Sequence, residues 1–543
     1  MELWKTVEKL VWEYFVVKTS KTILDLFPDN PEIDKDREDD DDTWVEKSFD
    51  ERISENIRNT REAIINKKPF IYQPGFLYWR CYVRADYLLL NGTWTYDLIE
   101  VKAKSHIRKN AKNNWEDEDI GSIESIFLDD VSFQKYIINS VFSEWDLPDL
   151  WAIYIAHLNS KYVRSWAISV SEIIKLEKVW AITEFPVFQR NKETTIQRDD
   201  SISSPTVVQE RISMISMECI LPETEFNSLH SFSGAKYFEY FGNEKPSGTI
   251  YSPRFVSAPV VAEFHYKWVI SIEDIPVEDI PRFWNKASEF IEKYLASHTY
   301  PVINKAEIST RLSELRFPIC FYDYETVSMP LPPMDGTSPY QQVVVQYSLH
   351  KVYEDWSIRH YGSILSEESD VFNISEIPEI NTEGYSFQVN RSVKGSQEEF
   401  LKLFLEDIGS DIDSSFVVWY DPFENSRNKE IWIRYPNLEN SFLTINQNTF
   451  DLYRLFAEYH YFDRAFRWSA SIKKVLPVLV PELSYEWLLI GKWDQAMRAL
   501  WDIINGHNSE PESRKETLKN LLIYCRQDSY AMFVIYKRLL ELL

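Results

Sequence analysis

YVRADYLLLNGTWTYDLIEVKAK, residues 82–104, holds two apolar runs on either side of an Asn-Gly turn signal, and its reading decides the architecture of the amino-terminal part of the chain. The pattern predicts a β-hairpin. Successive strand side chains alternate faces, so Glu100 and Lys102 share one face while Ile99 and Val101 share the other. Whether Asp86 joins Glu100 depends on the loop between the strands. A two-residue turn at Asn91-Gly92 pairs position 86 with 97 and turns Asp86 away, whereas a loop of three or five residues brings it beside Glu100. An odd loop is the expectation, because two carboxylates and a lysine on one face answer a chemical need. Hard oxygen ligands hold Mg2+ or Mn2+, the metal lowers the pKa of a bound water, and the lysine orients that water or offsets transition-state charge. Taken alone, an aspartate followed by Glu-x-Lys is equally an edge strand with its charges in water. The apolar strands on each side and the basic run Lys102, Lys104, His106, Arg108 and Lys109, suited to tracking phosphates, favour the site.

Outward from the hairpin, residues 1–30 read as a helix followed by a Pro-rich break, DKDREDDDDTW (34–44) as a solvated acidic loop, and 45–67 as helical again. LDDVSFQKYIINSVFS predicts a helix over 128–143, and LWAIYIAHL and KYVRSWAIS a further strand pair. Residues 191–310 form a connecting region between a first domain, 1–190, and a second, 311–543. The second is again α/β, with strands FPICFYDYE, QQVVVQYSLH and SFVVWY and a long last helix, KETLKNLLIYCRQDSYAMFVIYKRLLELL.

At 543 residues the chain exceeds one ordinary core, and its 44% apolar content is globular. No apolar run reaches the roughly 18–20 residues of a membrane helix, and the amphipathic, glutamate-bearing start is unlike a signal peptide. A cytoplasmic protein without a membrane partner is expected. Four scattered cysteines without a CxxC pair indicate neither a disulfide framework nor a cysteine-ligated cluster. The net charge of −26 argues against nonspecific coating of nucleic acid, although carboxylates that hold metal count as negative until the metal binds. Glycine is scarce, 13 of 543 residues against a usual ~7%, while tryptophan appears 19 times.

In FYDYETV, Asp323 and Glu325 stand at i and i+2 near the end of an apolar strand, a repulsive pair unless a cation lies between them. In YCRQD, Tyr524 and Asp528 share one helix face at i and i+4. Between these, FVVWYDPFENS ends a strand at the start of a helix and offers Asp421 and Glu424. Asp421 followed by Pro422 is also a good helix start, with Asp as the N-cap and Glu424 as its reciprocal partner. Asp451 reads as structural.

The spacing Asp86, Glu100, Lys102 resembles the PD-(D/E)XK nuclease signature, in particular its RecB-like branch. That resemblance implies an assisting glutamine on the next helix, where Gln134 stands beside Tyr136. The second set resembles the DEDD group of RNase H-like 3′-5′ exonucleases. It implies two metals held by Asp323, Glu325, Glu424 or Asp421, and Asp528, with Tyr524 aligning the attacking water. FPICFYDYETV, MDGTSPYQQVVVQYSLH, SASIKKVLPVLVPELSYEWL, DQAMRALWDII and YCRQDSYAM further resemble the bacterial family called domain of unknown function 2779, over about 311–543 and less closely over about 60–175.

Together these resemblances imply an α/β chain with an amino-terminal PD-(D/E)XK restriction-endonuclease-like domain and a carboxy-terminal RNase H-like domain with a mixed sheet. Lys102, Gln134 and Tyr524 are its expected catalytic residues, and Asp86, Glu100, Asp323, Glu325, Asp421, Glu424 and Asp528 its ligands for Mg2+ or Mn2+. Lys104, Arg108, Lys109, Lys473 and Lys474 are expected on nucleic acid, DNA before RNA. The implied activity is phosphodiester hydrolysis in repair, recombination or defence, with a catalytically decayed binding protein as the alternative. Relatives often carry a cysteine cluster for iron-sulfur binding; this sequence lacks one, and no such cluster is expected. The family pattern also implies glycine where Trp419, Trp468 and Trp493 stand, and at Trp79 and Trp94. A gene whose UGA codons are read as glycine accounts for that, with compositional drift as the alternative; under the first, crowded Trp side chains beside the second site are expected.

Overall fold

In a computed structural model of the chain, the residues described are 2–19, 49–78, 81–107, 123, 125–179, scattered positions between 263 and 279, 301–372, 384–466, 469–483, 488–490, 493–504 and 510–543. The acidic run 34–44, most of the connecting region, Arg108, Lys109, Trp79 and Trp468 lie outside them. The chain divides into two units, Met1–Ile220 with Met329–Gln341, and Leu221–Ser328 with Gln342–Leu543. Both are mixed α/β.

The first unit opens with helices α1 (Glu2–Thr19) and α2 (Phe49–Ile65), then strands β1 (Phe70–Tyr72), β2 (Gly75–Tyr78), β3 (Cys81–Arg84), β4 (Tyr87–Leu90) and β5 (Tyr96–Lys102). Helix α3 (Ser125–Glu144), β6 (Ile153–Leu158), the short α4 (Val170–Ile173) and β7 (Ile174–Lys178) complete it. The sheet runs β1-β4-β5-β6-β7, antiparallel except for the β5–β6 pair, while β2 and β3 form a separate hairpin. A parallel neighbour needs a crossover, and α3 supplies it.

Alternation along β5 divides the core. Leu98 joins Ile153, Ile155 and the apolar side of α3 (Val131, Ile138, Phe142), while Ile99 and Val101 join Val7, Leu10 and Val11 of α1. The sheet is thus covered on both faces, which explains why β5 is buried almost throughout, its charged residues included. Gly75 is fixed by crowding: a Cβ there would lie 1.6 Å from Asn56 Oδ1. The strand expected from KYVRSWAIS does not form. The chain there makes turns and an isolated bridge between Ser165 and Ala167, and β6 takes β7 as its antiparallel neighbour.

The second unit contains β8 (Val302–Ile303), α5 (Lys305–Leu312), β9 (Ile319–Val327), β10 (Val343–Val352), β11 (Ile358–Ser366), β12 (Asp370–Val371), β13 (Tyr385–Lys394) and α6 (Gln397–Ile408). Next come β14 (Ser415–Val418), α7 (Asp421–Arg434), α8 (Glu439–Gln447), β15 (Thr449–Asp451), β16 (Tyr461–Phe462), α9 (Ile472–Leu479), α10 (Trp493–Ile504) and α11 (Pro511–Leu542). Seven strands order as β12-β13-β11-β10-β9-β14-β15. The acid-bearing β9 is central, antiparallel to β10 and parallel to β14. Its even-numbered rings face α6, with Tyr322 and Phe404 centroids 5.8 Å apart, and its odd-numbered side chains face α11, with Phe321 and Phe533 also 5.8 Å apart. Asp323 and Glu325 therefore look toward the last helix. Helix α6 begins in a Ser396–Glu399 capping box and ends at Gly409 with φ 62°, a start and stop written in the sequence.

Candidate functional site

The β4–β5 loop is Asn91–Thr95, five residues, so that Tyr87 pairs with Ile99 and one further step sets Asp86 opposite Glu100. Asn91 closes the loop through its side chain, accepting from the backbone N–H of Thr93 at 2.9 Å. Asp86 Oδ2 accepts the Val101 N–H at 2.7 Å. Lys102 Nζ donates to Glu100 Oε1 at 2.8 Å and to Asp130 Oδ2 on α3. Gln134, one turn after Asp130, donates to Glu100 Oε2 at 2.9 Å, and its own Oε1 finds no donor among the described residues. Five polar side chains thus meet where β5 passes under α3.

Burial sets the electrostatics of this group. Asp86 is raised well above the usual carboxylate range by desolvation and then by the charge of Glu100. Glu100 is raised by desolvation, against the opposing pull of Lys102. For Lys102 desolvation acts downward, but Glu100 and Asp130 outweigh it and leave the ammonium more firmly protonated. Two members escaped the sequence reading. Asp130 stands four residues before Gln134 on the same helix face, a signal that was available. Glu8 is buried on α1, takes a hydrogen bond from Gln73 at 3.1 Å and raises Asp86. Nothing but its burial on an amphipathic helix marked it. Of the basic run, Lys104 is exposed, its ammonium 5.1 Å from the Phe127 ring.

In the second unit, Asp323 and Glu325 on β9 meet α11, where Tyr524, Cys525 and Asp528 present themselves within slightly more than one turn. Helix α11 is pinned to the sheet by a buried polar chain. Ser348, opposite Asp323 in the β9–β10 register, bonds Ser529 Oγ at 2.6 Å and His360 Nε2 at 3.0 Å, while Ser529 also bonds His350 Nδ1 at 2.9 Å. Because Ser529 follows Asp528, this chain fixes where that carboxylate starts from. Lys473 on α9 donates to the Tyr524 hydroxyl at 3.2 Å, whereas Lys474 is exposed.

The β14–α7 junction decides between Asp421 and Glu424. Tyr420 turns the chain with φ 88°, its N–H held at 2.9 Å by Asp451 Oδ1, which also accepts from Tyr453. Asp451 is thereby structural, as its sequence context suggested; burial first, then the charge of Asp421, pushes it up to about 6. The helix begins one residue earlier than the sequence suggested, with Tyr420 at the N-cap and Asp421 in the first turn. The expected side-chain cap by Asp421 is absent because its two oxygens face Arg454, each at 3.2 Å. Glu424, a turn later, is 2% exposed, its Oε2 finds no donor among the described residues, and its neighbour in charge is Asp323. The structure brings Glu424 to the group and leaves Asp421 to the arginine.

Asp323 is raised well above its usual range by burial and then by Asp528, Glu325 by burial and then by Asp323 and Asp528, and Glu424 by burial and then by Asp323. Each of these three is penalised by at least one other carboxylate of the set. Burial, then Asp528, also raises Tyr524, so it remains a neutral phenol. Such a set has the donors for a hard divalent cation, which would remove the repulsion.

Residues 320–471 match the family model of DUF2779, a domain of unknown function. No curated protein matches the chain. The DUF2779 segment contains Asp323, Glu325 and Glu424 and stops before Lys473, Tyr524 and Asp528. Trp419, within it, stacks its ring on Phe456 with centroids 5.3 Å apart and donates its indole N–H to Ala470 O at 3.1 Å, while the positive φ of the β14–α7 turn falls on the next residue, Tyr420. Trp493 opens α10, but its side chain lies outside the described residues, as does all of Trp468.

Proposed function

We propose that the protein is a metal-dependent nuclease that hydrolyses phosphodiester bonds in nucleic acid, DNA before RNA, with a DEDD-type RNase H-like 3′-5′ exonuclease site in its second unit and a PD-(D/E)XK-like site in its first. One observation carries the reading: Asp323, Glu325 and Glu424 are buried together, each raised by a neighbouring carboxylate, with Asp528 of a third element acting on the first two beside a neutral tyrosine. Buried like charges are costly unless a cation joins them. Two divalent ions there would clamp the attacking and leaving oxygens of a phosphodiester. Tyr524 would hold the attacking water through its hydroxyl, itself oriented by Lys473. The interior position of β9, with β10 and β11 paired antiparallel on one side and β14 and β15 paired parallel on the other, supports the RNase H-like reading.

In the first unit Asp86 and Glu100 would ligate metal, and Lys102 and Gln134 would position water and phosphate. Lys102 already touches Glu100, which supports a lysine that stays charged and in place. The test is digestion of end-labelled single-stranded and duplex DNA in Mg2+ or Mn2+ by the wild type, Asp323→Ala and Lys102→Ala. Shortening from the 3′ end that Asp323→Ala abolishes is the expected result. Binding without cleavage under either metal would instead mark a decayed, nucleic-acid-binding protein.

A further inference from the structure

Cys525 is the feature of the second site that a nuclease with oxygen ligands alone does not need. One ligand atom from each of Asp323, Glu325 and Cys525 lies within 4.8 Å of the others. The thiol is fully buried, with Sγ 3.8 Å from both Asp323 Oδ2 and the Asp323 carbonyl oxygen. Two donors on one tetrahedral ion, with bonds of about 2.1 and 2.3 Å, lie about 3.6 Å apart, so Cys525 Sγ and Asp323 Oδ2 already stand near that separation and closure by about an ångström at most completes the set. Cys525 and Asp528 are three residues apart on α11 and share a face. A further observation points to a missing ligand: the buried Glu424 has an oxygen with no donor among the described residues, and Asp323 is its main neighbour in charge.

We propose that Cys525 is a sulfur donor in this centre, so that the site takes a thiophilic divalent cation, of the Zn2+ or Co2+ class, through a mixed oxygen and sulfur set. The proposal rests on the reading of the carboxylates as a metal site. Mg2+ prefers an all-oxygen octahedron and gains little from sulfur, whereas a thiolate selects softer ions. The site therefore distinguishes two classes of ion. Hard ions use the carboxylates alone, and thiophilic ions add Cys525 and bind more tightly.

Co2+ is the probe, titrated into the full chain carrying Asp86→Asn to silence the first site, with folding followed by circular dichroism. A sulfur-to-cobalt charge-transfer band that rises together with the d–d bands is expected. Cys525→Ser should lose that band and weaken Co2+ binding at least ~10-fold while keeping d–d absorption, and Asp323→Asn should lose both. If d–d bands saturate with no charge-transfer band, or if the band survives in Cys525→Ser, the thiol is not a ligand and the carboxylate site stands. If Co2+ gives neither signal in the Asp86→Asn parent, the carboxylate site falls as well.

A different observation carries a second inference. Nine non-glycine residues among those described have positive φ, and three are tryptophans: Trp94 at 62°, Trp166 at 63° and Trp356 at 65°. With 19 tryptophans in 543 residues, about 0.3 of nine is the share expected from composition. All three are exposed, at 67%, 89% and 41%, so burial does not compensate for a left-handed backbone. Trp356 sits in the β10–β11 hairpin, its N–H on Tyr353 O at 2.9 Å, a position where glycine is the default. Glycine and tryptophan together number 32, about 5.9%, close to the ~7% usual for glycine alone.

The geometry points to glycine as the natural residue at 94, 166 and 356, with a UGA codon translated as tryptophan. Trp166 and Trp356 are identified by backbone alone. Reading the gene tests this directly: UGA is expected at each of the three codons, and UGG at any of them removes the inference for that residue. Native peptides spanning the three positions should carry the mass of glycine, and a tryptophan mass would overturn the assignment.

Discussion

The two acidic groups differ in how they neutralise themselves. Beneath α3, Glu100 has Lys102 at 2.8 Å and Gln134 at 2.9 Å, so the first unit carries its own counter-charge. At α11, Asp323, Glu325 and Glu424 are each raised by burial and by a neighbouring carboxylate, and Lys473, 3.2 Å from the Tyr524 hydroxyl, offsets only part of this at Asp323 and Glu325. A buried acid with a built-in lysine folds comfortably without metal. A buried acid cluster whose lysine offsets only part of the repulsion depends on protons or an added cation.

That contrast can be broken by experiment, most strongly by activity. Asp323→Asn should reduce metal-dependent exonucleolytic cleavage by more than the ~100-fold typical of losing an outer-shell partner, measured as release of labelled 3′ nucleotide. Equal residual cleavage in Lys102→Ala and Asp323→Asn would erase the distinction between the sites. Next in size is the first site's internal pair. Lys102→Ala strips Glu100 of its cation, with side chains only 13% and 7% exposed, and should destabilise the first unit by about 3 kcal/mol in urea titration. Adding Glu100→Gln to that variant should restore much of the loss; no restoration would mean that the pair is not what holds the sheet and α3 together.

Metal comes third. At about 100 times its Kd, Mn2+ should stabilise the second unit by about 2.7 kcal/mol, and Asp323→Asn should abolish that gain. The same substitution removes one of the repelling charges, so without metal it should raise the melting temperature.

The smallest effect is on pH. Burial and mutual repulsion hold Asp323, Glu325 and Glu424 above their unfolded values, so the folded, metal-free chain binds more protons than the unfolded one. Its stability should therefore fall as pH rises from the ordinary carboxylate range through the raised values. Urea midpoints in EDTA across that range test this, and a midpoint that rises with pH would contradict it.

The sequence made the strand pairs legible because alternation and chemistry constrained each other: requiring Asp86 beside Glu100 demanded an odd loop, and the loop has five residues. The Asp323–Glu325 spacing and the Tyr524–Asp528 spacing were equally readable, since a strand repeats at two and a helix at four. KYVRSWAIS misled because its β-branched and aromatic residues fit a strand, yet the chain turns there, with Trp166 at positive φ. Sequence put Glu424 ahead of Asp421 without separating them; the difference lies in Arg454, more than thirty residues on, which takes Asp421. Glu8 was hidden for the same reason, since its partners Gln73 and Asp86 are distant along the chain.

Because the second cluster draws on both β9 and α11, its parts leave the ribosome far apart in time. Glu325 and Tyr524 are 199 positions apart, about 10–40 s of translation at ~5–20 residues per second. During that interval a nascent chain carries the β9 half of the acidic cluster without the helix that completes it.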